Sequence, residues 1–325
     1  MTKPAPAITV IVCCYNAAQT IEATLDSLNV QSFADYEILA IDDGSQDTTV
    51  RLLHDRASQH THLRVLENTG NLGTAATRQR GLEEARAELV LFFDADDLAL
   101  PNMLERLFET YRSDPDIMGV SCYAEYFDGD QALGVQKVGA ENREDFFWFY
   151  DNSKLYFQSV VTLCSRQCAL AAGGFRRDIM PNAQDIRYED YAEDLDLWCR
   201  MSDFGAQGHY FLTLPEVLFR YRKPLDSLST RNLSLMQIKM RWIKDCLRRR
   251  RAGQPERTLA NFIASRTAWQ RFSDWRGDEA AGFYKRAGFA YARRNFLALG
   301  LYLALAGVLS PKLIRQKIAS QRVRG

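Results

Sequence analysis

The sequence predicts an α/β fold, a mainly parallel sheet flanked by helices, followed by a helical C-terminal extension. Two observations carry this. Short, β-branched apolar runs alternate with stretches of helical periodicity through the first hundred residues. Past Ser234 the pattern is helical almost throughout.

Ile8–Cys13 is a continuous apolar run of the kind found in strands buried on both faces. Ala17–Leu28 follows with Ile21, Leu25 and Leu28 at helical spacing and Asn16 as the expected N-cap. Tyr36–Ile41 is a second strand, then a helix over Thr48–Gln59, a third strand over Leu63–Leu66, a turn over Asn68–Gly73, a helix over Thr74–Ala87 and a fourth strand over Glu88–Phe93. This alternation predicts right-handed crossovers and a parallel sheet. In such sheets ligands bind outside the carboxyl ends of the strands. The polar groups gather there: Tyr15-Asn16, Asp42-Asp43, Asn68–Asn71 and Asp94–Asp97. Beyond this region Met118–Tyr126 and Tyr156–Leu163 read as strands, and Leu104–Arg112 and Leu195–Phe204 as helices. The cluster Arg248–Arg251, followed by Ala-Gly-Gln-Pro, reads as a surface break.

A length of 325 residues allows one large domain or a domain with an appendage. With 46% hydrophobic and 25% charged residues the composition is that of an ordinary globular protein. The formal net charge is zero, so no nucleic-acid partner is expected. The charge is unevenly spread, however. No Asp or Glu follows Glu279, while nine Lys and Arg do, which leaves the rest of the chain at −9. Seven scattered Cys, an odd number, read as reduced and mostly buried thiols of a reducing compartment. Cys164 and Cys168 have the spacing of neighbours on a helix, but no second pair or His completes a zinc site. Met1–Ala7 has no long apolar region and reads as lacking a signal peptide.

Asp94, Asp96 and Asp97 directly follow the apolar run Leu89–Phe93. Three carboxylates at the lip of a sheet repel one another unless a cation lies among them. A hard divalent ion bridging a diphosphate answers that need, since Mg²⁺ and Mn²⁺ favour oxygen ligands. A solvated acidic turn is the plainer alternative. Asp42-Asp43-Gly44-Ser45 is a turn in which Ser45 can cap the next helix, or a place where a carboxylate accepts from a base imide or a ribose hydroxyl. Glu193-Asp194 opens an amphipathic stretch, either to complement the helix dipole or to supply a general base. No Gly-x-Gly-x-x-Gly follows the first strand and no phosphate-binding Gly-rich loop with a Lys occurs, which argues against dinucleotide and NTPase folds.

In order along the chain stand Val10-Ile11-Val12-Cys13-Cys14-Tyr15-Asn16, Ile41-Asp42-Asp43-Gly44-Ser45, Asn71-x-Gly73 with Arg78 and Gly81, Asp94-Ala95-Asp96-Asp97, Gly173-Gly174-Phe175 and Glu193–Arg200. This set resembles glycosyltransferase family 2 over roughly residues 7–223. The resemblance implies a GT-A fold, a Rossmann-like, mainly parallel sheet. It also implies a catalytic domain over residues 1–230, with a nucleotide-sugar half to about residue 100 and an acceptor half after it, and a helical extension over 231–325. Residue by residue, it implies that Tyr15 flanks the nucleobase, that Asp43 and Asp42 contact uracil and ribose, and that Arg78 lies near the nucleotide. Asn16, Asn71 and Ala95 complete the donor set, and Asp94 and Asp96 hold ribose and metal, with Asp96 the main ligand of Mg²⁺ or Mn²⁺. Asp194 is implied as the catalytic base, with Glu193 beside it. The second acidic pair, Glu189-Asp190, lies close before them, and Tyr221-Arg222-Lys223-Pro224 stands where the family has Tyr-Arg-x-His.

The implied activity is inverting, single-addition transfer from a UDP-sugar to a glycan or lipid-linked acceptor in cell-surface polysaccharide or glycolipid synthesis. A non-catalytic nucleotide-sugar-binding module and a sugar-phosphate nucleotidyltransferase are the alternatives. The expected location is cytoplasmic, peripheral on the cytoplasmic face of a membrane. That expectation rests on Phe296–Leu309, which is almost wholly apolar and flanked by Arg293, Arg294, Lys312, Arg315 and Lys317. As a helix it would span about 21 Å against a hydrocarbon core of about 30 Å. It therefore reads either as a core helix or as an interfacial anchor drawn to anionic lipid.

Overall fold

The computed structural model describes residues 5–177, 179–180, 187–223 and 233–315. Strands β1 (Ile8–Cys14), β2 (Tyr36–Asp42), β3 (Leu63–Glu67) and β4 (Leu89–Asp94) alternate with helices α1 (Ile21–Asn29), α2 (Thr49–Gln59) and α3 (Thr74–Glu84). The four strands pair in parallel in the order β3-β2-β1-β4. The apolar runs of β1, β2 and β4 are buried almost throughout, because a parallel sheet is covered on both faces, while the edge strand β3 is only partly buried. The register aligns the strand ends. Cys14 lies opposite Asp42, Cys13 opposite Asp94, and Asp42 opposite Glu67, so the carboxyl ends finish side by side along one edge.

The chain continues through β5 (Leu98–Ala99), α4 (Met103–Arg112), β6 (Ile117–Asp128), β7 (Gln131–Gln136), α5 (Arg143–Asp151), β8 (Thr162–Ser165) and α6 (Arg166–Ala171). A 3₁₀ turn (Tyr188–Asp190), α7 (Glu193–Met201), a second 3₁₀ turn (Ser202–Gln207) and β9 (Tyr210–Arg222) complete this region. The sheet extends as β4-β8-β6-β9-β5, with β7 hairpinned onto β6. β8 runs antiparallel to both neighbours, while β6 and β9 are parallel. The carboxyl end of β9 therefore reaches the same edge as that of β4. Behind it, Trp198, Phe211, Phe92, Tyr156 and Phe146 form a fully buried aromatic core.

The structure departs from the sequence pattern at several points. The strand expected over Tyr156–Leu163 begins only at Thr162. Before it the backbone is irregular, since Tyr156 is drawn into the core, its ring stacked on Phe211 and its hydroxyl donating to Gln158 Oε1 at 3.0 Å. Cys164 lies in β8 and Cys168 in α6, so they do not share a helix; all seven cysteines are free thiols. The long strand β9 has no counterpart in the sequence pattern. Pro215 and Glu216 interrupt it where the register jumps, from Cys122 opposite Leu214 to Tyr123 opposite Val217. A bulge tolerates the Pro that a regular ladder would not, and it hides the strand's periodicity.

The chain divides into two compact units. The first comprises Met1–Lys223 with Ile243–Glu256, the second Pro224–Trp242 with Arg257–Gly325. Helix α8 (Leu233–Arg251) contributes to both. In the first unit its arginines are not a loose surface cluster. Arg250 Nε and Arg251 Nε donate to the two oxygens of Asp203 at 2.6 and 2.9 Å, and Glu256 links Arg250 to Arg176. In the second unit are α9 (Leu259–Ala264), α10 (Ala268–Ala292) and α11 (Phe296–Leu309). A capping box at Thr267 and Gln270 starts α10. Within the same unit Asp274 and Asp278 pair with Arg241, and Asp274 also pairs with Arg266.

Replacing Asp203 by Ala takes the carboxylate partner from the largely buried Arg251 and leaves Arg250 with Glu256 alone. Asp203→Ala is expected to lower stability by about 2–3 kcal/mol in urea titration. A change within error would show that these pairs contribute nothing to holding α8.

Candidate functional site

Asp42 closes the turn after β2: its Oδ2 accepts from the Gly44 and Ser45 N–H groups at 3.0 and 2.9 Å. Its other oxygen is buried, with no hydrogen-bond donor among the described residues. Gly44 sits at φ 74°, and a Cβ there would lie 2.6 Å from the Gly70 carbonyl carbon, so only glycine fits. Asp43, also buried, organises the neighbouring turn. Its Oδ1 accepts from Leu72 N–H at 2.8 Å and Asn68 Nδ2 at 2.7 Å, and its Oδ2 from Gly73 N–H at 2.9 Å.

The expectation that Asn16 caps α1 is not met, because α1 begins five residues later at Ile21 and its N-cap position is Thr20. Asn16 instead lies at φ 49° and ties two loops together. Its Oδ1 accepts from Gln46 N–H at 2.8 Å, and its own N–H donates to Ser45 Oγ at 2.9 Å. Ser45 is thereby engaged with Asn16, and Thr48 holds the N-cap position of α2. Tyr15 projects from the end of β1 with 48% of its surface exposed.

Arg78 lies one turn into α3 with its side chain buried. Its Nη2 donates to Asp94 Oδ1 at 2.7 Å, and its Nη1 donates to Glu193 Oε1. Burial alone would lower its pKa, but Glu193 and Asp94 raise it, with Asp194 adding to them, and the balance is upward. Beneath it, burial pushes the Cys13 thiol up to about 12, against the pull of Arg78.

Asp190 meets the N-terminus of the same helix. Its Oδ1 accepts from Ala75 N–H at 2.9 Å, in the first turn of α3, where a negative charge complements the helix dipole. It packs against Gly73, whose missing Cβ makes the room. Arg187 Nη2 donates to the Asn71 carbonyl at 2.8 Å, and the guanidinium also reaches the Asn71 side chain.

At the end of β4 the acids take different environments. Asp96 is held up to about 6, first by burial and then by the charge of Asp94, with Arg222 working against both. Asp97 is fully buried and is raised as well, by burial first and then by the charges of Asp94 and Asp96. Its Oδ1 accepts from Arg222 N–H at 2.8 Å. Arg222 Nε donates to the Asp96 carbonyl at 3.0 Å, and its guanidinium lies over the Phe127 ring. The Ala95 carbonyl accepts from Thr20 Oγ1 at 2.9 Å. Arg222 thus joins the site, although in the sequence it stands only within a departing Tyr-Arg-Lys-Pro string. Its place at the end of β9 brings it there.

Among the described residues no trio of His, Cys, Asp or Glu converges as a metal cage. Mg²⁺ and Mn²⁺ at phosphates need only one or two protein carboxylates, the phosphates supplying other ligands. Asp94 and Asp96, a like-charged pair in which Asp96 resists ionisation, fit such an ion; Asp97 is committed to Arg222.

Glu193 and Asp194 open α7 directly after Ala192, which adopts a left-handed φ of 51°. For a non-glycine residue that conformation is strained and is held by its surroundings. The rest of the acidic motif fixes the helix. Asp196 pairs with Arg200 at 3.0 Å and with Arg176 at 3.2 Å, and Arg200 donates to the carbonyls of Ala172 and Gly174. Asp194 Oδ1 accepts from Leu195 N–H at 2.7 Å.

Glycosyl transferase family 2, as a family model, matches residues 9–178, more than half of the chain. An uncharacterized glycosyltransferase of Haemophilus influenzae is 25% identical over 67% of this chain, which spans 65% of that relative's length. The amylovoran biosynthesis glycosyltransferase AmsE of Erwinia amylovora is 24% identical over 68% of this chain and 78% of its own. Among solved structures, the mannosyltransferase PcManGT from Pyrobaculum calidifontis, in complex with GDP-Man and Mn²⁺, matches with a TM-score of 0.54 at 21% identity, over 94% of this chain and 86% of that one. S. aureus TarS 1-349 in complex with UDP matches with a TM-score of 0.51 at 16% identity, over 92% and 90%. At such identities the structural likeness shows the GT-A fold. With its parallel β3-β2-β1-β4 core, its acidic strand ends and the family match across them, the chain belongs to glycosyltransferase family 2.

Proposed function

We propose that the chain is an inverting glycosyltransferase. It moves a sugar from a UDP-sugar to a hydroxyl of a glycan or lipid-linked acceptor in cell-surface polysaccharide or glycolipid synthesis, working in the cytoplasm at the inner face of a membrane. The observation that carries this reading is the buried Arg78, which joins Asp94 at the end of β4 to Glu193 at the start of α7. It brings the donor edge and the helix bearing the base to one point.

In this reading Tyr15 stacks on the nucleobase. Asp42, whose Oδ1 has no donor among the described residues, accepts from the base or ribose. Asp43 and Asn71 shape the turn beside it, and Asn16 and Ala95 hold the surrounding loops. Asp94 and Asp96 hold Mg²⁺ or Mn²⁺, which when bound supplies positive charge against the leaving diphosphate. Asp194 accepts the proton of the acceptor hydroxyl as that oxygen attacks the anomeric carbon opposite the leaving group, which inverts the configuration. Glu193, fixed by Arg78, keeps the first turn of α7 in position. The bond that Asp190 Oδ1 accepts from Ala75 N–H at the start of α3 supports a positioning role for it and leaves the base role to Asp194. The UDP and GDP-Man complexes of the structural neighbours, the Mn²⁺ of one of them and the polysaccharide role of the Erwinia relative all support this reading.

Asp194→Asn is expected to lose roughly 10²–10⁴-fold in turnover while still binding UDP. Asp190→Asn should cost about 0.5–1 kcal/mol of stability with chemistry largely kept. UDP release from a donor panel is the measurement, and an active Asp194→Asn beside a dead Asp190→Asn overturns the assignment. The rise in Tm caused by UDP should be larger with Mn²⁺ than with EDTA, and Asp96→Asn should erase the difference. Equal shifts in wild type with and without the ion would rule out the metal role. Arg78→Met should cost about 3 kcal/mol by stranding two carboxylates. Combined with Glu193→Gln, a double-mutant cycle should return a coupling of about 1–3 kcal/mol, and additive effects would dissolve the clamp.

A further inference from the structure

We infer that the second unit docks in the plane of an anionic lipid bilayer through α11. On this helix Leu297, Leu301, Ala304 and Val308 fall at i, i+4, i+7 and i+11, a single stripe, and all four are exposed, Leu297 by 90% and Val308 by 80%. The opposite side is the one that packs: Tyr302 stacks on Phe283 of α10 and Ala306 is buried. The helix has therefore used one face for its own unit and presents an apolar stripe outward. Folded chains rarely leave such surface uncovered unless something else covers it.

The flanks identify the occupant. Arg293 and Arg294 before the helix, and Lys312 and Arg315 after it, are all exposed, and no acid follows Glu279. A second copy of the chain laid along this stripe would bring two such sets of cations together, whereas anionic headgroups would neutralise them. No described helix is long and apolar enough to cross a membrane. At 14 residues, α11 spans about 21 Å and suits the boundary between headgroups and acyl chains. On α10 Trp269, Phe272 and Trp275 form an exposed ladder with successive ring centroids 5.8 Å apart, Trp269 being 72% exposed. Trp side chains favour the membrane–water interface. The sequence tail beyond Arg315, with Lys317, Arg322 and Arg324, lies outside the described residues.

This deepens the reading of the chain as a transferase to membrane-held acceptors, and lipid binding is measured separately from transfer. The full chain should float at low salt with vesicles of phosphatidylcholine mixed with phosphatidylglycerol, and stay at the bottom with phosphatidylcholine alone. The triple variant Leu297→Asp, Leu301→Asp and Val308→Asp should not float, with its circular dichroism and UDP-induced Tm shift unchanged. Changing Arg293, Arg294, Lys312 and Arg315 to Gln should weaken partitioning by about 10²–10³-fold. Wild type that never floats, or a triple variant that floats as well as wild type, overturns the inference. So does a lipid-free dimer in sedimentation equilibrium that the triple variant dissolves while wild type ignores vesicles. A chain that floats yet releases UDP from no donor leaves the docking surface standing and removes the transferase reading; one that transfers sugar but never floats does the reverse.

Discussion

Arg78 holds a buried positive charge between two carboxylates that lie far apart in the chain, Asp94 and Glu193. A lone guanidinium in that position would be costly to bury, so α3, the end of β4 and the start of α7 must stay assembled to keep it paired. The neighbouring contacts serve the same end. Asp196 and Arg200 fasten α7 to the loop after α6, and the strained Ala192 aims its first turn at Arg78. Asp43 fixes the turn that leads into α3, and Asp190 fills the N-terminus of the same helix. The helix bearing Arg78 is thus held at its N-terminus as well as through the Arg78 side chain.

The same edge concentrates negative charge. Asp94, Asp96 and Asp97 follow β4 without a break, and burial together with mutual repulsion keeps Asp96 and Asp97 reluctant to ionise. The Arg78 guanidinium takes Asp94, while Arg222 gives its backbone N–H to Asp97 and its Nε to the Asp96 carbonyl. Arg222 can do this because β9 runs parallel to β6 and ends on the same edge, and its guanidinium is braced on the Phe127 ring.

The second unit shows the opposite arrangement of charge. Asp274 and Asp278 are engaged internally on Arg241 and Arg266, while the cations around α11 stay exposed. An apolar helix cannot hide all of its surface against one neighbour. Which face it leaves outward is set by where Tyr302 and Ala306 pack.

The four parallel strands, their helices and the acidic strand ends were legible in the sequence because they rest on local signals: apolar runs of strand length, a period of 3.6 residues, and turn residues placed directly after each run. The family motifs could be read for the same reason, each being contiguous. Where a residue's partner is remote, local pattern had nothing to report. Asn16 looked like a helix cap because it precedes a periodic stretch, yet it is recruited by Ser45 and Gln46. Tyr156 lies in a strand-like run, but the aromatic core takes it first. A Pro-Glu bulge concealed β9, and with it the position of Arg222. Local pattern was thus enough to set the layered α/β fold and the chemical groups at the ends of its strands. Long-range packing was needed to join Arg78 to Asp94 and Glu193, to commit Asp190 to α3, and to choose which stripe of α11 stays outside, because each depends on contacts between segments that no local period links.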